Sequence, residues 1–136
     1  MGYAIAAAAT CLGAETTLIT GPTALTLPDG VTVVRIESTA ELHAAVKERF
    51  GSCDCLIMAA APSDYRPAHV ADHKLKRSVG LQLELQPTVD ILKDLAPHRR
   101  QEQMVIGFHQ QTDNGIGNAK RTLREKQLDQ IGSAHV

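Results

Sequence analysis

Tryptophan is absent from the 136 residues, and tyrosine and phenylalanine occur twice each, so aromatic side chains make up only 3% of the chain. Tyr3, Phe50, Tyr65 and Phe108 are too few to build a base-stacking platform for a nucleic acid. A charge field of one sign is missing too: 14 Lys+Arg face 15 Asp+Glu, which excludes the basic footprint of a nucleic-acid-binding domain. Residues 1–68 hold four basic and seven acidic side chains, and residues 69–136 hold ten and eight. The weakly cationic second half suits a small anionic ligand. No run approaches the roughly 20 consecutive apolar residues of a membrane span, and the N-terminus lacks the basic flank of a secretory signal. A cytoplasmic address with no membrane partner is the expectation. The three cysteines, Cys11, Cys53 and Cys55, are odd in number, and Cys-Asp-Cys matches neither a zinc pair nor a redox motif. They read as reduced packing residues. The six histidines are scattered; His69 and His73 lie four apart without a second ligand pair and read as surface residues. No metal-ligating set is assigned.

What is present is a globular composition, 43% hydrophobic, in a length that suits one domain over residues 1–136. A chain of this length buries roughly two-thirds of its unfolded surface without disulfides or a structural metal. Alanines 4 and 6–9 predict a helix over residues 1–12, stopped by Gly13. Residues 16–20 and 31–36 read as strands, and Ser38 with Glu41 forms a capping box that opens a helix running to about Phe50. Residues 55–61, Cys-Leu-Ile-Met-Ala-Ala-Ala, are apolar without alternation, the pattern of a central strand in a parallel sheet. Further strands are predicted at 81–85, 104–108 and 128–134, with helices at 89–95, capped by Thr88, and at 116–126. Strands alternating with helices predict an α/β, Rossmann-like, doubly wound and mainly parallel sheet, which binds ligands beyond the carboxyl ends of its strands.

Asp64 lies just past the small residues at 59–61 that close the presumptive central strand, where it can accept hydrogen bonds from a base or hydroxyl or hold a metal ion. A tight turn with a capping Asp is the alternative. Lys74, Lys76 and Arg77 place three cations within four positions, suited to a triphosphate or equally to a solvated charge run. Gly107-Phe108 ends another apolar strand at the same edge, and Lys126 ends a helix, where a cation complements the dipole.

In this order the motifs resemble phosphopantothenoylcysteine synthetase, the C-terminal half of the bifunctional bacterial coenzyme A biosynthesis flavoprotein. Met1-Gly2-Tyr3-Ala4 is similar to the end of that family's Ser-Ser-Gly-Lys-Met-Gly-Tyr-Ala. Residues 59–67 resemble its alanine-rich motif ending in Ala-Asp-Tyr-Arg, and Lys74-Leu75-Lys76-Arg77 resembles Lys-x-Lys-Lys at the same ten-residue spacing from the aspartate. Val89-Asp90-Ile91-Leu92 fits Pro-Asp-Ile-Leu, Gly107-Phe108 fits Gly-Phe, and Lys126-Gln127-Leu128-Asp129 fits Lys-Asn-Leu-Asp.

The resemblance implies a homodimeric ligase that activates the carboxylate of 4′-phosphopantothenate with CTP and Mg²⁺, releases pyrophosphate, and passes the acyl-cytidylate to the amine of cysteine. It implies that Ala59, Ala60 and Asp64 hold the nucleotide, that Lys74 meets the phosphates as the catalytic cation, and that Val89, Asp90, Ile91, Leu92, Phe108 and Lys126 complete the pocket. No flavin is expected in this segment, whereas a fused flavin decarboxylase domain is expected in a longer parent. The family's first strand and its Asn-containing segment would precede Met1, so the sheet is expected to be incomplete at both ends. Thr122 stands where a second nucleotide-binding lysine is expected, with Lys120 and Arg121 nearby; His109-Gln110-Gln111-Thr112 replaces Ala-Ala-Glu-Thr, and Ala134-His135-Val136 replaces Asn-Asp-Val. Two other readings compete. An NAD(P)-dependent reductase rests on the sheet pattern alone and lacks Gly-x-Gly-x-x-Gly. A catalytically silent nucleotide-binding domain rests on the departures.

Overall fold

The alanine-rich start folds as helix α1 (Gly2–Cys11). It stops where Gly13 adopts φ +88°, placing the Gly13 and Ala14 amides on the carbonyls of Thr10 and Ala9 at 2.9 and 3.0 Å. This left-handed turn satisfies carbonyls that the helix end would otherwise orphan. The computed structural model describes residues 1–76, 80–109 and 115–133. Strand β1 (Thr17–Thr20) pairs in parallel with β2 (Thr32–Arg35), in the register Thr17↔Thr32 to Thr20↔Arg35. Tyr3 Oη lies 3.1 Å from Thr20 Oγ1 and ties α1 to the end of β1.

Helix α2 (Thr39–Phe50) opens as expected at Ser38, whose hydroxyl accepts from the Glu41 amide at 3.2 Å. Glu41 reaches back one residue further than a standard capping box and accepts from the Glu37 amide at 2.9 Å. Its buried residues, Leu42, Ala45, Val46 and Phe50, recur at helical spacing and form one apolar stripe.

Strands β3 (Cys55–Met58), β6 (Met104–His109) and β7 (Gln130–Ser133) form a three-stranded parallel sheet in the order β3-β6-β7. The run at 55–61 was expected to be central, but among the described residues it pairs only with β6 and lies at an edge. An unalternating apolar run reports that both faces are covered, and Met58 is buried while Leu56 packs on the core; it does not report how many edges are paired. Between β3 and β6, strand β4 (Tyr65–Pro67) pairs antiparallel with β5 (Leu85–Pro87). The strand expected at 81–85 therefore begins only at Leu85. Pro67 and Pro87 fall at positions that do not donate into this ladder, whose bonds run on from the amides of Ala68 to Glu84 O at 2.9 Å and of Thr88 to Asp64 O at 2.8 Å.

Helix α3 (Ile91–Leu95) is shorter than the expected 89–95 and is followed by a 3₁₀ turn at Ala96–His98. Its cap is Asp90, which accepts from the Lys93 amide at 3.2 Å, and not Thr88. Thr88 is engaged elsewhere: its hydroxyl donates to Ser63 O at 2.6 Å and its amide to Asp64 O at 2.8 Å. Helix α4 (Gly115–Glu125) then leads through Lys126 and Gln127, the latter at φ +50°, into β7. The core joins Leu42, Val46 and Phe50 of α2, Met58, Val105, the α3 residues Ile91, Leu92 and Leu95, and Leu128. Packing explains Cys53, which lies against this core, but not Cys11 or Cys55, which are exposed. The mainly parallel α/β class stands.

The amino ends of the three-stranded sheet are held by a polar clamp. Gln103, 1% exposed, donates through Nε2 to Phe50 O at 2.6 Å and Cys53 O at 2.9 Å, and its Oε1 accepts from the Arg100 amide at 3.2 Å. Arg99 donates to Gln103 O at 2.9 Å and to both Asp129 carboxylate oxygens at 2.6 Å. Asp129 Oδ2 also accepts from the Val105 amide at 2.7 Å, which fixes β7 beside β6. The Arg99 hydrogen bonds, then the Val105 amide, hold the Asp129 carboxyl below the usual aspartate value of 3.8. Asp94 is held low as well, by hydrogen bonds from His43 at 2.8 Å and Lys47 at 3.3 Å.

Two predictions follow from the clamp. Gln103→Met removes the amide donor from the Phe50 carbonyl and one of two donors from the Cys53 carbonyl, which keeps Arg100 Nη2 at 2.7 Å; urea unfolding should show a loss of about 1–3 kcal/mol with an unchanged slope, and an unchanged midpoint would contradict the assignment. Carboxyls with lowered folded pKa values stabilise fully above their unfolded value and lose that contribution as pH falls through the folded one. The unfolding midpoint should therefore hold steady above about pH 5 and decline below about pH 4. The decline should be shallower in Asp129→Asn, and shallower again with Asp94→Asn added; identical acid limbs in all three proteins would contradict it.

Candidate functional site

On the face of the sheet covered by α3 and the α4–β7 turn, a cavity of about 80 Å³ lies over the Gly107–Ile131 pair of β6 and β7. Gly107 and Phe108 contribute from β6, Leu92 from α3, Thr122 from α4, and Lys126, Leu128 and Ile131 from the chain that follows. Gly107 is tolerated there for a steric reason: a Cβ would stand 2.9 Å from Leu128 Cδ1 and 3.6 Å from Leu92 Cδ1. The missing side chain lets α3 and the α4–β7 turn close on the strand.

Several of the residues read from the sequence converge at this place. Leu92, Phe108 and Lys126 line the cavity. Asp90 joins them through an ion pair, Lys126 Nζ to Asp90 Oδ2 at 3.0 Å, across 36 residues of chain. Asp90 thereby does two tasks, capping α3 and setting the position of Lys126. The Lys126 side chain is 29% exposed, so an anion entering from solvent can compete with Asp90 for its ammonium. Val89 is exposed, and Ile91, 3% exposed, belongs to the core; Ile91 can meet a ligand only through its backbone.

Asp64 is exposed, and its carboxylate is unpaired among the described residues; its carbonyl is held by the Thr88 amide, two residues before Asp90. Ala59 and Ala60 follow β3, and Ala59 is close enough to α1 that a Cβ on Gly2 would approach its Cβ to 3.5 Å. Lys74 and Lys76 lie exposed in the segment joining β4 to β5, and neither ammonium is paired among the described residues. Lys74 is not among the residues that line the cavity. Arg77, Gln110, Gln111, Thr112, Ala134, His135 and Val136 lie outside the described residues.

Thr122 occupies the cavity wall, whereas its neighbours do not: Lys120 is exposed, and Arg121 Nε is 4.0 Å from Glu125. Neither therefore substitutes at the wall for the lysine expected at 122. Sequence reasoning missed Ile131 and its neighbour Gly132, which pairs in register with Phe108. An isolated glycine inside a strand signals close approach of another group, and that signal was present at Gly132. A more open cavity of about 260 Å³ lies among Lys47, Phe50, Gly51, Leu95 and His98 and contains none of the residues singled out above. Among the described residues no three His, Cys, Asp or Glu side chains converge as a metal site, and His69 instead lies 3.9 Å from Glu84. No helix among them is long and apolar enough to cross a membrane.

The chain is 41% identical over 133 residues to the coenzyme A biosynthesis bifunctional protein CoaBC of Bacillus subtilis, covering 96% of this chain and 32% of that protein. It is 40% identical to a cysteine/cysteine sulfinic acid decarboxylase from an unknown prokaryotic organism, covering 96% of this chain and 37% of that one. The chain thus spans about a third of the length of these curated relatives. Among solved structures, the C-terminal domain of a coenzyme A biosynthesis bifunctional protein CoaBC superposes with TM-score 0.85 at 41% identity, over 97% of this chain and 62% of that one. The DNA/pantothenate metabolism flavoprotein from Streptococcus pneumoniae, at 22% identity and TM-score 0.77, shares the fold. The family model for the DNA/pantothenate metabolism flavoprotein C-terminal domain matches residues 1–136, and the chain belongs to that family.

Proposed function

We propose that this chain supplies the nucleotide-binding part of a cytoplasmic CTP-dependent ligase that joins 4′-phosphopantothenate to cysteine in coenzyme A biosynthesis. The observation that carries the reading is the convergence of Asp90, Phe108 and Lys126, distant in sequence, on one cavity between the sheet and the α3 and α4 helices.

In this reading the base lies against Phe108, and Lys126 exchanges Asp90 for a polar group of the nucleotide. The substrate carboxylate attacks the α-phosphorus of CTP and expels pyrophosphate. The amine of cysteine then attacks the acyl carbon and releases CMP. Lys74, exposed and unpaired on the β4–β5 connection, is free to reach the phosphates and offset charge developing during the displacement. Mg²⁺ needs only one or two carboxylates when it binds with nucleotide phosphates. The unpaired carboxylate of Asp64 fits that requirement, and a bound Mg²⁺ would neutralise phosphate charge.

A homodimer is part of the proposal. Tyr65, Val70, Leu75, Leu81, Leu83 and Leu85 are exposed large hydrophobic residues within the β4–β5 pair and its connection. Such a concentration suits burial against the same segment of a second copy. Binding without turnover is a second reading, favoured by Thr122 in the cavity wall where a lysine is expected.

CTP with Mg²⁺ at about 100 times its dissociation constant should stabilise the protein by about 2.7 kcal/mol, measured by thermal unfolding. The stabilisation should be weaker in Lys74→Gln; no response to CTP would sink the reading. Pyrophosphate release with 4′-phosphopantothenate separates the ligase from the silent domain, because the silent domain binds CTP and releases none. Sedimentation at micromolar concentration should show a dimer that Leu83→Asp with Leu85→Asp dissociates, and a wild-type monomer would remove that part of the proposal.

A further inference from the structure

The cavity of about 260 Å³ at the end of α2 shares no lining residue with the one beside Lys126. One wall is α2, with Lys47, Phe50 and the capping Gly51; the other is Leu95 of α3 and His98 of the 3₁₀ turn. Phe50 and Leu95 are buried members of the core, so the apolar part of the lining is fixed in place.

Gly51 keeps this cavity open. Its φ of −66° and ψ of −20° are right-handed helical values that any residue adopts, and a Cβ on it would meet nothing within 4 Å. Neither backbone conformation nor close packing calls for glycine at this position. What the missing side chain leaves is room between α2 and the α3–3₁₀ segment.

The polar groups of the lining are nitrogen donors. Lys47 offers an ammonium, which has no acceptor capacity, and His98 offers an imidazole that can donate; no carboxylate lines the cavity. The His98 ring is exposed and unpaired among the described residues. The neighbouring carbonyls of α2 are already engaged, since Phe50 O accepts from Gln103 Nε2 at 2.6 Å and Arg49 O accepts from the Ser52 and Cys53 amides at 3.1 Å each. Lys47 is releasable. Its ammonium lies 3.3 Å from Asp94 Oδ2, and His43 Nε2 holds that same oxygen at 2.8 Å, so Asp94 keeps a partner when Lys47 turns away. A ligand must therefore bring a compact apolar body and an acceptor, and an anionic acceptor makes the stronger bond to an ammonium. An apolar cavity of about 150 Å³ takes a benzene ring. The larger space here admits a ring or branched chain carrying one substituent.

We infer that this cavity is a second ligand site, for a small monocarboxylate whose aromatic or branched aliphatic body lies against Phe50 and Leu95 and whose carboxylate meets Lys47, with His98 as the further donor. The inference stands apart from the nucleotide reading, because no residue of the cavity beside Lys126 takes part in it.

The test titrates isotope-labelled protein with benzoate, with benzyl alcohol as the body without charge, and with inorganic phosphate as charge without the body, followed by NMR. Phe50 and Phe108 are the only phenylalanines, so the Phe50 ring is readily assigned and reports occupancy. Benzoate should shift the Phe50 and Leu95 resonances saturably with a dissociation constant of about millimolar, the range open to a ligand of so few atoms. Benzyl alcohol should bind about tenfold more weakly, the size of one charge-assisted hydrogen bond, and phosphate should leave these resonances unmoved. Lys47→Met, which keeps the aliphatic stem, should remove the preference for benzoate, and Gly51→Leu should weaken benzoate at least about tenfold by filling the space. The inference is overturned by the absence of saturable shifts at Phe50 and Leu95, by phosphate shifting them as benzoate does, or by equal affinity for benzoate and benzyl alcohol. Wild-type benzoate affinity in Gly51→Leu, or a retained preference in Lys47→Met, would overturn it as well. Should either variant not fold, the three titrations of the wild type still decide, because they need no substitution.

Discussion

The rest of the structure depends on the clamp formed by Gln103, Arg99 and Asp129 at the amino ends of β3, β6 and β7. A buried amide is costly unless its hydrogen-bonding capacity is met, and Gln103 meets it by joining the end of α2 to the start of β6. Arg99 and Asp129 continue the connection to β7 through charge-assisted bonds, which are stronger and more directional than neutral ones. Register follows from this arrangement: once the Val105 amide is bound to Asp129, β7 cannot slip along β6. Because side chains alternate along a strand, a slip of one residue would send Phe108 and Gly107 to exchanged faces.

The site lies on the helix-covered face of the same sheet, over the Gly107–Ile131 pair. With the amino ends locked by polar contacts, positions further along the strands use small residues: Gly107 lets Leu92 and Leu128 approach the backbone on one face, and Gly132 lets the Phe108 ring approach on the other. Asp90 links the two halves of the site by capping α3 while pairing with Lys126. The β4–β5 pair stands apart from the three-stranded sheet, carrying Lys74 and most of the exposed large apolar residues of its region. Its contribution is to reach and to cover, tasks that need length and exposure more than packing.

Most of the local structure was legible from short-range chemistry. The Ser38–Glu41 cap, the Gly13 stop and the apolar stripe of α2 depend only on neighbours in the chain, and each formed as expected. The expectations that failed are those decided by distant partners. Thr88 has the chemistry of a helix cap, but its hydroxyl and amide bind Ser63 and Asp64, so Asp90 takes that position. The run at 55–61 has the composition of a central strand yet pairs on one side only among the described residues. Of the candidate site, Leu92, Phe108 and Lys126 were found through order and resemblance, whereas Gly132 and Ile131 became visible only with strand pairing.

The sequence by itself determined the class of fold, through alternating apolar runs and helix signals, and the identity of the residues with useful chemistry, because charge, hydroxyl and ring are properties of single side chains. Tertiary structure alone decided which of those residues meet. That Lys126 pairs with Asp90, and that the Phe108 ring lies against Gly132, follow from register and helix placement. Those are set by long-range contacts such as the Gln103 clamp, which no local pattern encodes, because its members belong to a helix end, a loop and two strands that become neighbours only on folding.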